Sequence, residues 1–146
     1  MLREGPIPAF VHGVLEYFAG AALIAAPILL GYDSGSATAV SIVLGILVLV
    51  LAATTDWATG LTNQVPISAH LVLDLILALA LVASPFLFSF SEETNPTVAF
   101  IALGVVHLLV SIGTRFVKDD RGGPRRTRGR QASERVDPPP APAEPR

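Results

Sequence analysis

The sequence predicts an all-α membrane fold: four transmembrane helices built as two duplicated helix hairpins, arranged as a parallel pseudo-two-fold repeat. Three observations predict it. Apolar residues make up 51% of the 146-residue chain, and its mean hydropathy is +0.59. Four mainly apolar runs each reach the roughly 20 residues needed to cross hydrocarbon. Nine of the ten Lys and Arg residues lie at or after Arg115, the tenth being Arg3. A basic end beside an uncharged apolar body is the charge pattern of a polytopic membrane protein.

The first predicted span runs from Ile7 to Gly31, after a short N-terminal segment of residues 1–6. Its leader, MLREG, is barely basic, and the apolar run exceeds a signal-peptide core, so the segment is read as part of the fold. The second span runs from Ala37 to Thr59. Its stretch AVSIVLGILVLVLAA has no polar face to offer water, which argues against a soluble bundle. The third runs from Val65 to Phe90 and the fourth from Pro96 to Val117. The connecting loops, YDSGSA, GLTNQ and SEETN, carry turn residues and are short enough to make neighbouring helices antiparallel.

Arg115, Lys118, Arg121, Arg125, Arg126, Arg128 and Arg130 follow the last span. The positive-inside rule places that end in the cytoplasm, and four spans return the N-terminus to the same side. The expected location is therefore the cell membrane, multi-pass, with both termini cytoplasmic. Residues 118–146, rich in Arg, Pro and Gly, cannot bury a core and are expected to be a disordered tail. Its basic residues suit contact with anionic lipid headgroups. Nucleic-acid binding is not expected, because acids are interleaved and no folded motif accompanies them.

An internal duplication links the spans. Shifted by 58 residues, the first lies on the third: Pro8 meets Pro66, His12 meets His70, Glu16 meets Asp74 and Pro27 meets Pro85. Shifted by 59, the second lies on the fourth: Thr38 meets Thr97, Leu44-Gly45 meets Leu103-Gly104, and Thr55 meets Thr114. Prolines, histidines and acids in register are harder to obtain by chance than apolar matches. The repeats are residues 7–59 and 65–117. Each crosses the membrane twice, so both have the same orientation and the two-fold axis runs along the membrane normal.

The phrases LIAAPILLGY and LVASPFLFSF each close one helix ahead of a short loop and a second apolar helix. In this the chain resembles the SPW-repeat family of small integral membrane proteins, over about residues 7 to 117. The name-giving triplet is Ser84-Pro85-Phe86 in the second copy and Ala26-Pro27-Ile28 in the first; the single Trp, Trp57, lies elsewhere. The resemblance implies a four-helix membrane fold and brings no activity, cofactor or catalytic residue.

The chemistry-bearing residues are His12, Glu16, His70, Asp74 and His107. Residues four apart share a helix face, so His12 lies over Glu16 and His70 over Asp74. Depth lets His107 meet one of the acids. A carboxylate in hydrocarbon costs roughly 2.5–3.5 kcal/mol on insertion scales, so Glu16 and Asp74 must be protonated, paired or turned to a polar interior. Asp56 and Arg115 occupy equivalent places with opposite charge and are expected to approach each other or share one wet rim. Glycine stripes through Gly45 and Gly104 can serve contacts within the chain or in a homo-oligomer.

Three readings fit the His/acid set. The first is structural: the pairs meet across the internal two-fold, satisfy each other and fix register. The second is a metal or haem site using His12 and His70. The third is a proton-coupled path or switch, against which stand the apolar outer halves of the helices. The first is the expectation, with no cofactor. The absence of Cys excludes thiolate chemistry and disulfides. No GxGxxG, P-loop or GxSxG motif is present, so enzymatic activity is not expected.

Overall fold

The computed structural model describes residues 5–115. The expected disordered tail, residues 118–146, lies outside the described residues, as does Arg3. The chain runs β1 (Ile7–Pro8), α1 (Ala9–Leu29), α2 (Gly35–Thr54), α3 (Ile67–Leu87), α4 (Thr94–Gly113) and β2 (Thr114–Arg115). Each helix is long and apolar enough to cross a membrane. At 1.5 Å per residue, 20 or 21 residues span about 30 Å, the thickness of the hydrocarbon core.

The helices form two hairpins, α1 with α2 and α3 with α4. Side chains such as Phe18, Ile28, Leu79 and Leu109 point outward and exposed, as helices in lipid allow. Lipid is as apolar as leucine, so helix pairing must come from close packing and polar contacts. Gly45 and Gly104 supply the first, each facing the partner helix of its own hairpin. A Cβ at Gly45 would lie 2.8 Å from the Gly20 carbonyl oxygen, and one at Gly104 3.0 Å from that of Ala78. These glycine stripes therefore serve contacts within the chain.

The duplication is visible in the bonds. At the loop end Tyr32 N–H reaches the Pro27 carbonyl (3.0 Å) and Phe90 N–H reaches that of Pro85 (2.9 Å). Each is the long bond of a Schellman turn. The left-handed position is Gly31 (φ 61°) in the first copy and Ser89 (φ 57°) in the second. Across the hairpins, Ser36 Oγ donates to the Phe88 carbonyl (3.0 Å) and Asn95 Nδ2 to that of Leu30 (2.7 Å). Such reciprocity is the mark of a two-fold relation. The Glu93 carboxylate adds a link with no counterpart, accepting from the backbone N–H groups of Asp33 (2.5 Å) and Ser34 (2.9 Å). Between the helices at this end packs an apolar core of Leu23, Ala37, Val48, Leu77, Leu81, Phe90 and Phe100.

The opposite end, carrying the termini, departs from the sequence reading. The second helix stops at Thr54, short of the expected Thr59, and the fourth stops at Gly113, short of Val117. Thr55 (ψ 142°) and Thr114 (ψ 142°) are extended instead. Thr114 pairs in parallel with Ile7, and Thr55 makes a parallel bridge to Val65. Hydropathy alone does not mark a backbone that leaves the helix to bond the strand-like segment ahead of another helix.

Candidate functional site

Both extended threonines hand their side chains to histidines. His12 Nδ1 lies 2.7 Å from Thr114 Oγ1, and His70 Nδ1 lies 2.8 Å from Thr55 Oγ1. Each threonine hydroxyl donates its one proton to a helix carbonyl, Thr114 to Val110 (2.6 Å) and Thr55 to Leu51 (2.7 Å). The threonine oxygen can then only accept from the ring, so Nδ1 carries the proton in both histidines. That choice turns Nε2 inward.

The two Nε2 atoms face two carboxylates at the centre of the bundle. His12 Nε2 is 3.6 Å from Glu16 Oε1 and 3.2 Å from Asp74 Oδ2. His70 Nε2 is 3.4 Å from Glu16 Oε1 and 3.3 Å from Asp74 Oδ2. Nothing here is exposed: the four residues keep 0–2% of their surface. All four inward atoms lie within 4.8 Å of one another.

The surroundings break the symmetry. His107 Nε2 is 3.5 Å from Asp74 Oδ1, and Ser111 Oγ is 3.1 Å from Asp74 Oδ2. The positions equivalent to His107 and Ser111 in the first copy are Val48 and Ala52. Asp74 is thus held from α4, while neither oxygen of Glu16 accepts a hydrogen bond. On the side of the termini Trp57 covers both rings, its centroid 4.2 Å from that of His70 and 5.3 Å from that of His12. Trp57 Nε1 donates to the Ala52 carbonyl (3.0 Å), which fixes the indole.

The structure therefore brings His12, Glu16, His70, Asp74 and His107 into one cluster. It leaves the other singled-out residues elsewhere. Pro27, Ser84, Pro85 and Phe86 lie at the loop end, where both prolines sit in the last helical turns and Ser84 Oγ donates to the Ala80 carbonyl (2.6 Å). Asp56 and Arg115 lie just beyond α2 and α4 at the end of the termini, Arg115 exposed and Asp56 half-buried. Sequence reasoning aligned Thr55 with Thr114 as equivalent positions of the repeat and missed their bond to the histidines. The available signal was their equivalence in the repeat, since His12 and His70 are equivalent too. Trp57 has a tryptophan in one copy only and gave no such signal.

The SPW repeat domain family matches residues 10–114, covering all four helices and the whole cluster. The chain belongs to the SPW repeat family. With four helices of spanning length, this SPW repeat protein is a multi-pass membrane protein. No curated protein and no solved structure matches it. The proline-closed helix ends that carry the resemblance are the Schellman turns of the two hairpins, and the His/acid cluster lies at the other end of the bundle.

Proposed function

We propose that this protein holds a divalent transition-metal ion between His12, Glu16, His70 and Asp74, in the core of a membrane bundle. One observation carries the reading. A tetrahedron with metal–ligand bonds of about 2.0–2.1 Å has edges of about 3.4 Å. Four of the six edges of the cluster, the His-to-carboxylate separations, are 3.2, 3.3, 3.4 and 3.6 Å, and all four atoms lie within 4.8 Å of one another. The ligand chemistry supports it. Neutral imidazoles with Nδ1–H bonded outward are the form in which histidine ligates, and an outer partner on the second nitrogen is the usual companion of such a ligand. Two imidazoles and two carboxylates suit zinc, iron or a neighbouring first-row ion.

Without a cation, inward lone pairs on Nε2 would face carboxylate oxygens, and protons would have to separate them. The cluster favours a bare ion over haem, because the carboxylates occupy the space between the two rings that a porphyrin needs. An ion here joins α1 to α3 and so ties one hairpin to the other, which absorbs the register-fixing role expected from the sequence. We further place both termini in the cytoplasm, on the strength of the basic residues from Arg115 onward and the absence of Lys and Arg from the loops around Asp33 and Glu92. The ion then lies in the cytoplasmic half of the membrane, and the basic tail lies where it can touch anionic headgroups.

The test is cobalt titration of the detergent-purified chain. Tetrahedral Co(II) absorbs far more strongly in the visible than octahedral aqueous Co(II). Saturation at one equivalent with tetrahedral bands, reversed by excess zinc, supports the site. A featureless titration sinks it and leaves the cluster as proton-bridged structural pairs.

A further inference from the structure

Between α1 and α4 a cleft opens from the cluster to the lipid-facing surface. It has a volume of about 270 Å³ and is lined by Leu15, Phe18, Ala22, Leu103 and Val106, with Glu16 and His107 at its base. The cleft wall is almost wholly apolar. Its floor holds buried polar atoms that make no hydrogen bond, only longer ion-pair contacts within the cluster: both oxygens of Glu16, which is 2% exposed, and Nε2 of His107, which is 5% exposed. A pocket with apolar walls and a few convergent polar groups is the form of a small-molecule site.

We propose that this cleft binds a lipophilic ammonium ion, an apolar body carrying a single positive charge, from the membrane interior. The commitment to a cation rests on charge complementarity. Asp74 is approached by three imidazoles and a serine hydroxyl, whereas Glu16 shares only His12 and His70 with it and accepts no hydrogen bond. Among the described residues the sole Lys or Arg is Arg115, exposed at the bundle's end. A cation for Glu16 beyond the histidines must come from outside. The commitment to an apolar body rests on the walls and on the opening, which is flanked by exposed Phe18 and Val106 and faces lipid. From the lipid side, a buried carboxylate reached through such walls offers a hydrated ion no polar path. It accepts a charge whose apolar part gains the contacts of the cleft. The inference does not rest on the metal reading. Both use Glu16, so a bound zinc ion should exclude the ammonium, and a protein that takes no metal still tests the cleft.

The experiment is calorimetry on the full chain, freed of metal by chelation, in phosphatidylcholine nanodiscs, with octylammonium as probe, octanol as its neutral counterpart, and empty discs as the partitioning baseline. Octylammonium should give a saturable component above that baseline and octanol none. Glu16→Gln should weaken the component about thirtyfold or more, the loss expected when one partner of a buried charge pair is removed. Ala22→Phe, which fills the exposed mouth and leaves Glu16 in place, should abolish it, and decides the matter if Glu16→Gln fails to fold. Equal binding of octanol would make the cleft a seat for neutral lipid and overturn the proposal. Undiminished octylammonium binding in Glu16→Gln or in Ala22→Phe would overturn it as well.

Discussion

Thr114→Val isolates the contact that turns His12 toward the centre. Valine keeps the shape of threonine and replaces the hydroxyl by a methyl. The structure gives that hydroxyl two bonds, from His12 Nδ1 at 2.7 Å and to the Val110 carbonyl at 2.6 Å. Its loss leaves a fully buried ring N–H without an acceptor, which costs about 1–3 kcal/mol in proteins generally. Interhelical bonds in membranes run lower, about 0.6 kcal/mol on average and up to about 1.7. A fall of about 1–2 kcal/mol in stability is therefore expected. Metal affinity should fall about 10–100-fold, as it does when an outer partner of a ligating histidine is removed. The two-fold sharpens the expectation. Thr55→Val breaks the equivalent bond to His70, at 2.8 Å, and should have a similar effect. Thr114→Ser keeps the hydroxyl and should restore most of the affinity. The assays are zinc competition against a chromophoric chelator and unfolding in mixed micelles of increasing sodium dodecyl sulfate. Stability reduced in both valine variants with zinc affinity unchanged would refute the reasoning, since the threonines would then hold the helices and not the ligands.

Three further outcomes are expected. Gly45→Ala and Gly104→Ala each place a Cβ 2.8–3.0 Å from a backbone carbonyl or neighbouring side chain, so each should lose about 1–3 kcal/mol through overpacking, read in the same micelle titration. Ser89→Gly should gain about 1 kcal/mol, because Ser89 holds φ 57° where its repeat partner is already Gly31; no gain would mean that the serine's own contacts offset the backbone cost. Burial, with the Glu93 carboxylate nearby, pushes the Tyr32 phenol above its ordinary value. The unfolded chain then loses this proton first, so stability should fall as pH rises through about 10. Ultraviolet titration in a Tyr17→Phe background should place the ionisation higher in the native protein than in the unfolded chain, and Glu93→Gln should lower it.

How much of this was legible follows from what each signal reports. Four spans were visible because hydropathy is a property of long windows. The pairing of His12 with Glu16 and of His70 with Asp74 was visible because a helix puts residues four apart on one face. Their meeting at one centre was expected from the duplication, which places equivalent residues at equal depth. Helix ends were less legible. Thr55 and Thr114 leave the helix for reasons that lie in Val65 and Ile7, far along the chain, and local propensity does not see a partner strand. The asymmetry of the site was also hidden. Val48 reads as one more apolar residue until its equivalence to His107 shows which carboxylate lacks a neighbour. Trp57 lies in what reads as the end of a hydrophobic run, and only the turn after Thr54 carries its indole over both imidazoles.

The most direct test of the central claim is elemental analysis of the full chain, purified in detergent without chelator or affinity metal, beside a His12→Ala/His70→Ala variant. The account predicts one equivalent of a transition metal per chain, absent from the variant, with zinc restoring the wild-type stoichiometry after chelation and failing to load the variant. A metal-free wild-type protein that also refuses zinc, cobalt, manganese and iron in equilibrium dialysis would contradict it.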